Sequence, residues 1–289
     1  MDLVNTASLG PTSLDNIRAE LVRMEDSIIF ALIERAQFAQ NTNIYQKGFF
    51  EGLDSSFMEF LLHEIECAHA KGRRYTSPDE YPFTSPLPPP VLPALSFPPL
   101  LHRNTINLND QIMDIYITKI VPQLCPKGDD ANHGSAAAKD VDALQLLSRR
   151  IHYGKFVAEA KFNDPEHHDL YVELIKAQDG DKIMDLLTNH TVERRLLRRL
   201  RRKALIYGQE VDEDDDELPT PTHTTPNNHT HNHNHTHPST TTTPTTHQKP
   251  DPSTKTPRLS RDVVADMYER FVIPLTKQVE VDYLLTRLG

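Results

Sequence analysis

The sequence lacks the features that mark several large protein classes. Its 289 residues include only two cysteines, Cys67 and Cys125. They are far apart and outside any Cys-x-x-Cys unit, so reduced thiols are expected rather than a disulfide or a zinc site. Positive charge is scarce: 31 Lys and Arg stand against 41 Asp and Glu, a net charge of −10. A nucleic-acid binder needs a basic face to displace counterions, and this balance argues against one. It still allows an anionic small ligand, because a few Arg and Lys can create a local positive pocket. No apolar run approaches the ~20 residues of a membrane helix. The start, MDLVNTASLG, has neither the basic residues nor the apolar core of a signal peptide. A cytoplasmic protein is therefore expected, with no membrane and no nucleic acid among its partners. Nucleophile elbows, Walker phosphate loops, dinucleotide-binding glycine turns and His-Glu-x-x-His pairs are all missing. An enzyme built on this chain would use neither a nucleophile nor a cofactor, and no metal.

Strand alternation of useful length and fixed-period repeats are absent as well. The spacing that is present is helical. Leu14, Ile17, Leu21, Met24, Ile28 and Leu32, extended by Ala36, predict one long amphipathic helix over about Ser13–Ala39. Thr12 and Asp15 supply a capping box at its start. A second helix is predicted over Ser55–Ala70 with Phe57, Leu61, Ile65 and Ala68 on one face, stopped before Pro78-Asp79. Pro82–Pro99 is too rich in proline for a helix interior and reads as an extended connector. Helix resumes near Asn109, with Ile112, Ile115, Tyr116 and Ile120, and is expected to end at Pro122. After a polar loop, Pro126–Ser135, a helix runs from about Ala136 toward Lys161, with Gly154 a weak point rather than a certain break. Shorter helices follow at Pro165–Ala177 and Gly180–Leu187, then a charged one over Thr191–Tyr207. A last helix spans about Arg261–Leu288, with a kink or break expected at Pro274. The fold class is all-α: a multi-helix bundle with long amphipathic helices.

Composition changes abruptly after residue 211. Asp212–Glu217 is acidic, and Thr220–Pro257 is almost wholly Thr, Pro, His, Asn and Ser. Such a segment buries too little apolar surface to offset its ordering entropy, so a disordered insertion is expected at 212–257. Residues 1–211 and 258–289 then form one helical domain.

Several charged groups invite a function. The alternating histidines His229, His231, His233, His235 and His237 could bind transition metals weakly, but low-complexity drift explains them more simply. Arg194, Arg195, Arg198, Arg199, Arg201, Arg202 and Lys203 recur at helical spacing without interleaved aromatics, as a solvated face does. Arg150, Lys161, Glu193 and Glu280 are spread over the later predicted helices. Arg18, one residue from Ile17, sits at the edge of the first apolar stripe, where it could turn inward. Glu25, seven residues on, shares its face.

Four segments carry a resemblance: Asn16–Phe30 (NIRAELVRMEDSIIF), Arg73–Glu80 (RRYTSPDE), Leu147–Phe162 (LSRRIHYGKFVAEAKF) and Ile273–Leu285 (IPLTKQVEVDYLL). In content and order they resemble fungal chorismate mutases, and the likeness spans nearly everything except the connector and the insertion. It implies a helical homodimer with one active site inside each subunit, and a substrate, chorismate, that rearranges to prephenate. By position, Arg18, Arg150, Lys161 and Glu280 match the family's catalytic residues, and Asn189, Glu193 and Thr276 its polar substrate contacts. Arg73, Arg74, Asn132, Gly134 and Ser135 match an effector site at the dimer interface. The resemblance implies inhibition by tyrosine and activation by tryptophan. Two departures stand in regulatory regions: Ala138 where the effector loop can carry a hydroxyl, and Ser260 where threonine is often found.

The implied chemistry suits the residues. A unimolecular rearrangement needs no proton transfer and no covalent intermediate. Arg18 and Arg150 could each grip a substrate carboxylate through a planar fork, holding the reactive conformer. Lys161 could stabilise charge growing on the ether oxygen. Glu280 must then be protonated when it acts, its pKa raised by burial. Two competing readings are a catalytically inert scaffold that binds aromatic amino acids, and an adaptor recruiting partners through residues 212–257.

Overall fold

The computed structural model describes residues 13–95, 99–207 and 261–289. Among them there is no strand, and they form one compact unit. Thr12, Ser260 and the segment 212–257, with its histidine tract, lie outside the described residues.

Helix α1 covers Leu14–Arg35. Its N-cap is Ser13, whose side chain accepts from the Asn16 N–H at 3.3 Å, satisfying a donor the first turn leaves open. Helix α2 covers Phe57–Lys71 behind a full capping box, in which Ser56 and Glu59 exchange two bonds of 3.1 Å. Its buried face is Met58, Leu62, Glu66 and Ala70, one residue round from the expected face. The cause is Glu66, whose carboxylate accepts from Phe83 N, Thr84 N and Thr84 Oγ1 at 2.6–2.8 Å. A charge so well bonded can be buried, and it anchors the connector to α2. The connector itself carries no helix or strand in its described part.

Neither Pro122, expected to end its helix, nor Pro274, where a kink or break was expected, breaks the helix at the proline itself. Helix α3, Asn109–Ile115, passes through a π-helical turn at Tyr116–Ile120 into α4, Val121–Leu124, which contains Pro122. Helix α10, Arg261–Met267, passes through a second π-turn, Tyr268–Val272, into α11, Ile273–Leu285, which contains Pro274. In each case the residue just before the proline donates five residues back: Val121 to Tyr116 and Ile273 to Tyr268. Proline lacks an N–H and its ring clashes with the carbonyl four residues back. A wider turn immediately upstream gives the ring room, and the helix goes on.

Helix α5 covers His133–His152 and starts three residues earlier than expected, so Gly134 and Ser135 belong to its first turn. One residue, Tyr153, separates it from α6, Gly154–Phe162. Helices α7, His168–Lys176, and α8, Gly180–Leu187, lead to α9, His190–Tyr207. The main core packs Ile28, Leu32, Leu144, Leu147, Ile151, Leu200 and Val279 between α1, α5, α9 and α11. Gly154 decides how closely α6 meets α11. A Cβ there would lie 2.9 Å from the Thr276 carbonyl oxygen and 3.2 Å from Glu280 Cγ.

Candidate active site

A cavity of about 220 Å³ opens between α1, α5, α6, α9 and α11. Its lining includes Arg18, Arg150, Lys161, Asn189, Glu193, Thr276 and Glu280, with apolar walls from Ile17, Leu21, Val157 and Leu196. All seven residues expected to touch substrate therefore meet, although they come from four stretches of chain.

Arg150 is 6 % exposed. Its Nη1 donates to Thr276 Oγ1 at a long 3.4 Å, and its buried Nε has no partner among the described residues. The Thr276 hydroxyl donates to Val272 O at 2.6 Å, inside the π-turn, so the turn that accommodates Pro274 also orients Thr276. A buried donor left unpaired costs about 1–3 kcal/mol, which an anion entering the cavity would recover. Lys161 donates to Leu187 O at 2.7 Å and stands 3.6 Å from Glu280 Oε2. Burial pushes the Glu280 pKa up; Lys161, Arg150 and Lys277 pull the other way without cancelling it. Glu280 is thus a carboxyl with a raised pKa beside a cation.

Arg18 stands at the rim. Its side chain is 62 % exposed and pairs with Asp15 at 3.1 Å. An exposed pair of this kind is worth ~0–1 kcal/mol, so a stronger anion could take the guanidinium. The Asn189 side-chain oxygen accepts from Thr191 N and Val192 N, both at 3.1 Å, capping α9 and leaving its amide N–H groups as the donors for a ligand. Glu193 bonds Lys277 Nζ at 2.6 Å. Lys277, also in the lining, was missed in the sequence. The available signal was its place between Thr276 and Glu280 on one short helical arc.

Glu25 does not face the cavity. It is 1 % exposed and takes both Arg199 Nε at 2.8 Å and Arg199 Nη2 at 2.6 Å, with Lys203 at 3.2 Å. Lys203 also pairs with Asp26 at 2.8 Å, and Tyr207 donates to Asp26 at 3.0 Å. The basic run of α9 is therefore not simply a solvated face. Every fourth residue fastens α9 to α1, while Arg194, Arg195, Arg198 and Arg202 remain exposed.

The residues expected at an effector site are not brought together within one chain. Arg73 has positive φ, 69°, and donates through Nη1 to Pro93 O in the connector; its buried Nε has no partner among the described residues. Arg74 bonds Glu80 Oε2 at 3.0 Å and Gln145 Oε1 at 2.7 Å. Asn132, Gly134 and Ser135 surround the exposed start of α5. Gln145 lies ten residues beyond Ser135, about 15 Å along the helix axis. As for metals, Asp164, Glu166 and His167 offer ligand atoms within 4.8 Å of one another in the α6–α7 turn, away from the cavity lining.

Cations, polar groups and one neutral-leaning carboxyl converge in a small pocket inside a helical bundle. Such a lining suits a helical enzyme whose substrate is a compact anion. Comparison with known proteins narrows the class. No family model matches the chain. Chorismate mutase of Schizosaccharomyces pombe is 42 % identical over the whole of both chains. The chorismate mutase of Candida albicans, solved with L-tryptophan, superposes with a TM-score of 0.77 at 38 % identity, covering 96 % of this chain and 92 % of that one. AtCM1, solved with tyrosine in its allosteric site, gives 0.76 at 39 % identity, covering 98 % and 99 %. The chain belongs to the chorismate mutase family of isomerases.

Proposed function

We propose that the cavity binds chorismate in its coiled conformer and that the seven lining residues divide the work of the rearrangement to prephenate. Arg150, with an unpaired buried Nε, takes one carboxylate; Arg18 leaves Asp15 and takes the other. Each pairing is charge-assisted, and the two together hold the reacting carbons in contact. Lys161 and neutral Glu280 then address the ether oxygen from two sides. Lys161 offers a fixed cation, and Glu280 offers an O–H, to the negative charge that grows as the C–O bond lengthens. Both groups are in place before the charge develops, so little reorganisation is needed. Asn189 and Glu193 hold the substrate hydroxyl, with Lys277 fixing Glu193, and Thr276 positions Arg150. No proton changes owner over the cycle.

The observation that carries this reading is the convergence of these residues from five helices on one cavity. Regulation by tyrosine and tryptophan follows from the relatives solved with those ligands. The separation of Arg73 and Arg74 from Asn132, Gly134 and Ser135 supports a homodimer in which two chains complete each effector site. Both cysteines are free, which suits the reducing cytosol, and no described helix is long and apolar enough to cross a membrane. The test is loss of chorismate absorbance with purified protein, with and without tyrosine or tryptophan, together with sedimentation to give the subunit number. Turnover lowered by tyrosine and raised by tryptophan is expected from a dimer. Absence of turnover removes the reading.

A further inference from the structure

Arg149 adjoins Arg150 in α5, yet it lies outside the cavity lining. It is the centre of a partly buried charge cluster drawn from separate stretches of chain. Its Nε donates to Asp79 Oδ2 at 2.8 Å and stands 3.7 Å from Glu80 Oε1, and its Nη2 reaches Glu20 Oε1 at 3.5 Å. Asp79 is 1 % exposed and Glu20 6 %. The other oxygen of Glu80 accepts from Arg74 Nε at 3.0 Å. Arg74 and Arg149 therefore share one carboxylate. From Arg149 the cluster has two exits: the next residue of α5 is Arg150, and Glu20 lies two residues beyond Arg18 on α1.

We propose that Glu80 and Arg149 relay effector occupancy at Arg73 and Arg74 to the two substrate-gripping arginines, Arg18 and Arg150. This rests on the effector reading given above. An amino-acid effector brings a carboxylate that competes with Glu80 for Arg74; tyrosine and tryptophan share that group, so their opposite signs come from how far each ring lets Arg74 leave Glu80. Released from Arg74, Glu80 turns to Arg149, which it now meets only at a loose 3.7 Å. Burial raises the Glu80 pKa against the pull of Arg74 and Arg149, so a Glu80 that loses one arginine depends on the other to stay ionised. A tighter Glu80–Arg149 pair draws the guanidinium away from Glu20, and α1 shifts relative to α5. The spacing between Arg18 and Arg150 changes with it. The cluster is an element with two arrangements that both sites bias, which is the physical content of coupling. Arg149 is a positioning residue here, acting through its neighbours without touching substrate.

Glu80→Gln in the full-length protein removes the shared charge. Turnover is measured with and without saturating tyrosine or tryptophan, and tyrosine binding by calorimetry with and without prephenate. Tyrosine is expected to bind at least as tightly as to wild type, because its competitor is weakened. Basal kcat/KM stays within about threefold, while a coupling of about fivefold or more falls below about twofold. By linkage, prephenate also loses its effect on tyrosine affinity, a change that mere loss of packing would not produce. Full effector response in Glu80→Gln overturns the relay and leaves the effector reading standing. Loss of tyrosine binding in the variant also overturns it, by making Glu80 part of the effector site itself. A wild-type protein indifferent to both amino acids overturns the effector reading and the relay together. Should Glu80→Gln unfold, Arg149→Lys keeps the charge and loses the fork; coupling retained there overturns the relay equally.

Discussion

Arg35 and Arg150 are both buried in this bundle, and their guanidinium groups have opposite surroundings. Arg35, at the end of α1, has every nitrogen engaged. Its Nε bonds Asp140 at 2.5 Å, Nη1 bonds Ala39 O at 2.9 Å and Cys125 Sγ at 3.2 Å, and Nη2 bonds Gln40 O at 3.1 Å. Asp140 in turn accepts from Tyr45 at 2.7 Å and Tyr116 at 2.8 Å. Arg150 has one long bond to Thr276 and a buried Nε with none. A buried charge that the protein satisfies ties elements together; one left short of partners is held ready for a ligand. The first pins α1 to α5 at the end away from the cavity, and the second opens into it.

Exchanging the chemistry of the two sites tests this contrast most severely. Arg150→Met keeps the volume and removes the fork. We expect kcat/KM to fall on the order of a thousandfold, about 4 kcal/mol in the barrier, with thermal stability nearly unchanged because an unpaired donor has gone. A melting temperature that drops with activity would make Arg150 structural after all. Arg35→Met should do the reverse. It leaves Asp140 buried without its cation, at a cost of about 3 kcal/mol in denaturant unfolding, while the folded fraction turns over chorismate at close to the normal rate.

A smaller change probes the geometry of the cavity itself. Gly154→Ala places a methyl against backbone at 2.9 Å. Separation of α6 from α11 should move Lys161 from Glu280, at about 1–3 kcal/mol in stability, and lower kcat more than it raises KM. An unchanged kcat would show that the two groups act independently. The smallest effect concerns shape rather than size. In the proposed mechanism Glu280, whose pKa burial raises, is the neutral acid, so activity should decline as pH rises through that pKa. Glu280→Gln keeps a neutral donor, so its pH–rate profile should be flat where that of wild type falls. A limb that persists in the variant assigns the titration elsewhere.

Much of this was legible in the sequence because helices announce themselves locally. The stripe from Leu14 to Leu32 gave α1 to within a few residues, and the bounds Gly180–Leu187 agree with α8 as observed. One local rule, that proline breaks a helix, failed at two positions. Pro122 and Pro274 forbid an ordinary α-turn, and the chain answers with π-turns that no apolar spacing announces. The face of α2 was misplaced by one residue because Glu66, a charged residue, is its most firmly anchored inward position. The site residues came from resemblance. Periodicity alone gave Arg18 a place at the edge of a stripe and could not join it to Glu280.

By itself, then, the sequence determined the helices, the acidic balance and the chemistry its side chains allow, since each depends on neighbours a turn or two away. Only the tertiary structure decided which charges are spent on the fold and which are kept for a ligand. Arg35 and Asp140 are 105 positions apart, Arg199 and Glu25 174, and Arg150 and Thr276 126. Pairing energies depend on distances of a few ångströms and on exclusion of water, and both are properties of the packed bundle rather than of order along the chain.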